Sequence, residues 1–437
     1  MNEAHHHHGL EGGWLNFPLG PVGRILAAAL AVMTVLLVVG VALMWPSADD
    51  EGTGPLGQAV VDPVDATVIA VRSDVACASV PEGVDVRCDA VVFEIVSGPT
   101  DGELWTWEID ASSRFAPRFE VGDDVYLSTQ PGVTDERFRY SFIDFDRESE
   151  LGWLVVLFAV AIIALGGLQG VRALVSLGLS FLALAWFTLP AILDGASPVT
   201  VALIGSGVVA VVALITTHGL NHLSAVALLG SFAALGLTGG LAWLFVRVTN
   251  LSGIADENVR FLLVGRDAID PRGLLLAGIV IGALGVLDDV TVTQAAAVSE
   301  IHRANPGYGA RRLYSAALRV GRSHIASTTN TLVLAYAGAS LPLLLLFTET
   351  ELSIGQVASS ELIAVEIVRT AVGTIGLVAS VPVTTALAVW VVRGDAHAED
   401  GDDREADDED PGGASSADGP EVGRVTWDDF APRERPM

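Results

Sequence analysis

Lysine is missing from this chain: all 24 basic residues among its 437 are arginine. Schiff-base and P-loop chemistries, both of which need a lysine amine, are therefore excluded. Cysteine is almost missing, with only Cys77 and Cys88 present. Charged residues make up just 17% of the chain and are unbalanced, since 52 acids leave a net charge of −28. No basic surface exists to neutralise phosphates, which excludes a nucleic-acid partner. What is abundant excludes an average soluble enzyme and a disordered chain: 51% of residues are hydrophobic and the mean hydropathy is +0.52.

Such hydropathy and such charge do not belong in one globular domain, and they separate along the chain. Residues 46–150 hold 23 acids and 7 arginines, residues 395–437 hold 15 acids and 4 arginines, and the remainder holds 14 acids against 13 arginines. The hydrophobic part is nearly neutral. Runs long enough for the roughly 20 helical residues that cross a bilayer occur at 25–45, 151–169, 173–193, 198–217, 223–247, 273–298, 325–347 and 371–392. The expected fold is an α-helical polytopic membrane protein with these eight transmembrane helices. Residues 1–24 read as a leader, 25–45 as an uncleaved signal anchor, 46–150 as a separate domain, 151–393 as a seven-helix core and 394–437 as an acidic tail.

Arginine in short loops is retained on the cytoplasmic side. The densest basic stretch, 299–323, carries Arg303, Arg311, Arg312, Arg319, Arg322 and His302. Counting spans from there puts both termini in the cytoplasm and residues 46–150 outside the plasma membrane. Arg172 and Arg393 agree, whereas Arg260, Arg266 and Arg272 fall outside and count against it. In the outside segment, alternating or β-branched runs at 66–72, 87–97, 103–109, 124–129 and 139–145 predict five short strands of a small all-β, OB-like barrel. Cys77 and Cys88 can form a disulfide in an oxidising compartment, a buried thiol pair being the alternative. The tail from 395 reads as disordered and solvated. Within it, Trp427-Asp428-Asp429-Phe430 is a candidate docking motif for a cytoplasmic partner. His5 to His8 are either metal ligands or the remnant of a purification tag.

The sixth apolar run carries Asp288 and Asp289 near its middle. An aspartate there costs about 2.5–3.5 kcal/mol on insertion scales, so the pair should face protein or water. At the helical period, Asp288, Thr291, Ala295 and Ser299 form one stripe and Asp289, Thr293, Ala296 and Glu300 another, with Gln294 in the same string. Carboxylates and hydroxyls so arranged suit a bound cation or a proton relay. Hydrogen-bonded glue between helices is the structural alternative.

The seventh run opens with a second polar string, in which His324, Ser327, Thr328 and Thr331 fall at i, i+3, i+4 and i+7. Asn330 joins them, because a membrane-buried amide needs several partners; the five are a candidate solute path. Hydroxyls that only bond their own helix are the alternative. Pro342 predicts a bend. His218 and His222, four apart, fit two metal ligands on one helical face, or interfacial histidines if Gly219 breaks the helix. Glu366 and Arg369 read as an i, i+3 ion pair, with a gate as the alternative. In the last run, Pro382 predicts a kink whose freed carbonyl Thr384 and Thr385 can meet.

Three strings, GVLDDVTVTQAAAVSEI (285–301), GRSHIASTTNTLVLAYAGASLPLLLLF (321–347) and EIVRTAVGTIGLVASVPVTTALA (366–388), resemble the YibE/F family of multi-pass membrane proteins over about 60–390. The resemblance implies an extracytoplasmic domain followed by a helical membrane core. It carries no substrate or catalytic residue with it. The leading expectation is a secondary transporter or exporter of a small solute or ion, coupled to protons or a cation through Asp288 and Asp289, since no ATP-binding motif offers another energy source. The alternative is a scaffold or sensor that binds an envelope partner through the outer domain and a cytoplasmic partner through the tail. An intramembrane hydrolase built on His324, Ser327 and Asp288 lacks an identifiable oxyanion site. No enzymatic activity and no cofactor are expected, and the partners are the lipid bilayer and the solute, with the oligomeric state left open.

Overall fold

The computed structural model describes residues 15–16, 21–46, 63–77, 87–98, 100–129, 139–264 and 269–407. His5 to His8, and Trp427 to Phe430, lie outside them. Strands β1 (Pro63–Ala76), β2 (Arg87–Ile95), β3 (Leu104–Asp110), β4 (Asp124–Thr129) and β5 (Tyr140–Phe145) form one antiparallel sheet in the order β3-β2-β1-β4-β5. Period-two alternation sets its inner face, so Val64, Ala66 and Val68 are buried on β1 and Val91, Phe93 and Ile95 on β2. Cys77 and Cys88 are bonded, with Cα atoms 5.2 Å apart.

The sheet is a half-barrel, where a barrel was expected. Among the described residues no ladder joins β3 to β5; bulky rings fill that seam instead, with Trp107 stacked on Phe142 at 5.6 Å and Trp105 beside Tyr140 at 5.8 Å. Side chains tie the two edges, Arg139 to Glu103 at 2.6 Å and the Tyr140 hydroxyl to Thr100 at 2.9 Å.

The helices are α1 (Pro21–Leu43), α2 (Glu148–Ala183), α3 (Leu189–Leu193), α4 (Pro198–His218), α5 (His222–Val248), α6 (Glu257–Leu263), α7 (Pro271–Ala304), α8 (Ala310–Ala339), α9 (Leu341–Thr348), α10 (Ile354–Ser359) and α11 (Glu361–Asp407). Six helical stretches among the described residues are long and apolar enough to cross a membrane, or seven if the bent pair α8 and α9 is one span. The stretch Glu148–Leu193 needs qualification. At Gly167 the backbone takes φ 55 and ψ −132, a conformation open to glycine. A Cβ on Gly170 would strike the carbonyl oxygen of Ile162, whereas eight residues of unbroken helix would hold them about 12 Å apart. The stretch therefore doubles back at Gly167.

Two further breaks matter for the site. Residues Leu184–Thr188, just before Pro190, form a π-helical turn between α2 and α3. Helices α8 and α9 meet at 63° beside Pro342. By contrast α11 runs through Pro382 without interruption and continues to Asp407, into the segment expected to be disordered. Extending an existing helix adds one hydrogen bond per residue ordered, and alanine, glutamate and arginine are good helix formers. The same logic starts α8 at Ala310, well before the apolar run at 325.

The core lies between α5, α7 and α11, where Leu235, Val280, Leu287, Val298, Leu377 and Val381 are buried together. At one end of the bundle Arg393 donates to Tyr308 O at 2.9 Å, Gly394 abuts Val22, and Leu15 pairs with Leu220. At the other, Trp45 stacks on Phe187 at 6.3 Å and Glu361 accepts from Ser252 N and Gly253 N at 2.6 and 2.8 Å. The start of α1 and residue 394 of α11 thus share an end. The outward face is apolar, with Leu165 93% exposed, as a lipid-facing surface requires.

Candidate functional site

Helix α7 starts at Asp270, whose carboxylate accepts from Arg272 N and Gly273 N at 3.1 and 3.0 Å. Its two polar stripes face opposite ways. Thr291, Ala295 and Ser299 are buried, whereas Asp289, Thr293 and Glu300 are exposed. The inward stripe is tied down: Thr291 Oγ1 lies 2.7 Å from Ser231 Oγ and donates to Asp288 O at 3.0 Å. Gln294 is the hub, donating to Ala317 O at 3.1 Å and to Thr385 Oγ1 at 2.7 Å, and so joins α7 to α8 and α11. Thr385 in turn donates to Val381 O, while Thr384 rests against Gly230, so neither hydroxyl serves the carbonyl freed by Pro382.

Asp288, which heads the inward stripe, is half-buried, and its Oδ1 is buried with no hydrogen-bond partner among the described residues. On the outward stripe Thr293 donates to Asp289 O at 2.8 Å, and Glu300 pairs with Arg303 at 3.0 Å on the surface.

The string on α8 is divided. Gly321 approaches Val381 and Gln294 so closely that an added Cβ would lie 2.5 Å from the first and 2.6 Å from the second. That contact fixes the rotation of the helix. Asn330, nine residues on at about 100° each, lies on the opposite side, and it is exposed, as are Ser327 and Thr331. These three do not belong to an inward path. His324 and Thr328 are half-buried; Thr328 donates to His324 O at 3.0 Å, Thr331 donates to Ser327 O at 3.1 Å, and His324 Nε2 is buried without a partner among the described residues.

The histidine pair is corrected as well. Helix α4 ends at His218, Gly219 takes φ 76, and His222 opens α5 with Asn221 as its cap. His218 and His222 therefore do not share one helical face. Among the described residues no group of three histidines, cysteines, aspartates or glutamates is placed to hold a metal ion.

A cavity of about 760 Å³ forms where the broken helices meet. The π-helical turn supplies Leu184 and Thr188, the α8–α9 bend supplies Ala339, Ser340 and Leu343, and α11 supplies Glu366 and Arg369. Gly253, Ala255 and Asp256, held by the Glu361 clamp on their loop, line one side. Arg369 Nη1 donates to Glu366 Oε1 at 2.7 Å, as the i, i+3 spacing predicts. Leu274, Gly278 and Ile281 of α7 line the cavity too. They fall at i, i+4 and i+7, and the same face continues to Gly285 and Asp288, about 10 Å beyond Ile281 by helical rise. The Tyr336 hydroxyl lies against Gly282 on this stretch.

Thr188 and the cavity as a whole were not found from sequence. The one available signal was the pair LALAW before Leu189-Pro190 and LVLAY before Leu341-Pro342. Both proline strings mark the breaks that wall the cavity. Comparison with known families matches residues 154–394 to the YibE/F-like protein family, so the matched region covers the helices from α2 onward and neither α1 nor the sheet. No curated protein and no solved structure matches the chain.

Proposed function

The chain belongs to the YibE/F-like family, and from that premise we propose that it is a secondary transporter of a small solute or ion, coupled to protons or a cation through Asp288. One observation carries the reading: the α7 face that walls the cavity between two broken helices continues to a carboxylate with an unpartnered, buried oxygen. Discontinuous helices around a cavity, with an ionisable group nearby at membrane depth, are the arrangement alternating-access carriers use. Asp289, exposed beside it, is the second coupling group.

In this reading the bend at Gly167 and the α8–α9 bend each belong to membrane crossings, giving eight spans. A straight helix over Glu148–Leu193 would be about 69 Å long, more than twice the hydrocarbon thickness. Both termini are cytoplasmic, the half-barrel is extracytoplasmic, and the location is the plasma membrane. The chain is a carrier and not an enzyme, and its partners are the bilayer and its solute. The scaffold reading draws on Gln294 and Ser231–Thr291, a closed network of the sort that only holds helices together.

The test is flux in liposomes containing the full chain, with an imposed pH or sodium gradient and a panel of small organic ions. Gradient-driven flux that disappears in Asp288→Asn/Asp289→Asn supports the reading. Flux that survives in the folded double variant contradicts it.

A further inference from the structure

The cavity is lined by one guanidinium, that of Arg369, with the Glu366 and Asp256 carboxylates and the Ser340 hydroxyl. Arg369 keeps its Nε N–H buried and without a partner among the described residues, whereas the wholly buried Thr188 hydroxyl is packed against Gly205 of α4. Arginine only donates hydrogen bonds, and a hydroxyl can donate one. Glu366 is already engaged with Arg369 Nη1, and the Asp256 carboxylate accepts from Asn258 N at the start of α6. What remains open and buried at the cavity is the Arg369 Nε N–H. The Nε and Nη2 edge of a guanidinium fits two carboxylate or phosphate oxygens side by side while Nη1 holds another partner.

The remainder of the wall is apolar: Phe181, Leu184, Ile192, Leu274, Leu343 and Val365. A volume of about 760 Å³ falls within the range of small-molecule sites. We propose that this cavity binds an amphipathic organic anion, with a carboxylate or phosphate head on Arg369 and an apolar body against the leucine, isoleucine and phenylalanine side chains. Glu366 holds the guanidinium in place and keeps the empty site neutral at that point. The proposal rests on the transporter reading only for the idea that what binds is also carried.

Such an anion can enter from water or from the bilayer. The probes are therefore decanoate as the free acid, a lysophosphatidylglycerol as the lipid, and decylammonium as a cation of the same chain length. Binding to the full chain in nanodiscs is read by calorimetry. Decanoate or the lysolipid binds and decylammonium does not; whichever binds more tightly identifies the source. Arg369→Gln weakens the anion by roughly 10- to 100-fold, the scale of a hydrogen bond to a charged group. Leu343→Trp, which fills the cavity without touching the ion pair, abolishes binding in a protein of unchanged melting temperature. Decylammonium binding as tightly as decanoate, or a folded Arg369→Gln with unchanged affinity, overturns the assignment. Anion binding without gradient-driven flux leaves the site standing and removes the transport reading. Coupled flux of another solute, with no anion bound, does the reverse.

Discussion

The two sides of α7 treat polar atoms in opposite ways. On the side facing α5, α8 and α11, Gln294, Thr291 and Thr385 meet partners at 2.7–3.1 Å and glycines bring the helices into contact. At the cavity Arg369 Nε is buried and unpartnered among the described residues, and so is Asp288 Oδ1 farther along α7. Where unbroken helices pack, Gln294, Thr291 and Thr385 are met, although Ser206, Thr374 and Thr384 keep buried hydroxyls without a partner among the described residues. Helices broken at Pro190 and Pro342 cannot pack so closely, and they leave the cavity that Arg369 lines.

The comparison can be broken by stability measurements. On the closed side, Gln294→Ala removes two hydrogen bonds, leaves buried groups unmet and opens a void, which should cost about 2–4 kcal/mol. Reversible unfolding in detergent reads it, and a change near zero would dissolve the contrast. Gly376→Val drives a side chain into the Thr238 hydroxyl, an overpacking expected to cost about 1–3 kcal/mol. On the open side, Thr188→Val loses no hydrogen bond that the chain makes, so unfolding should stay within about 0.5 kcal/mol of the parent protein. A large loss there would show that the Thr188 hydroxyl has a structural partner.

Much of this was legible in the sequence, because burial follows from short-range periodicity. Alternation at 66–72 and 124–129 foretold β1 and β4, and the helical period split Thr291 from Asp289 onto the two faces they occupy. Helix rotation was not legible. The polar string on α8 reads as one face, but Gly321 against Gln294 and Val381 turns Asn330 away, a contact between segments far apart in the chain. The cavity was hidden for the same reason, since Thr188, Ser340 and Arg369 come together only through three separate helices.

The central claim is that the cavity-lining face of α7 is an accessible path from the cavity to Asp288. With Cys77 and Cys88 bonded to each other, a single introduced cysteine can be followed with a small water-soluble thiol reagent in the membrane-embedded protein. Ile281→Cys, Gly285→Cys and Asp288→Cys should react, and Val280→Cys, on the packed face, should not. Equal silence at all four positions would contradict the account.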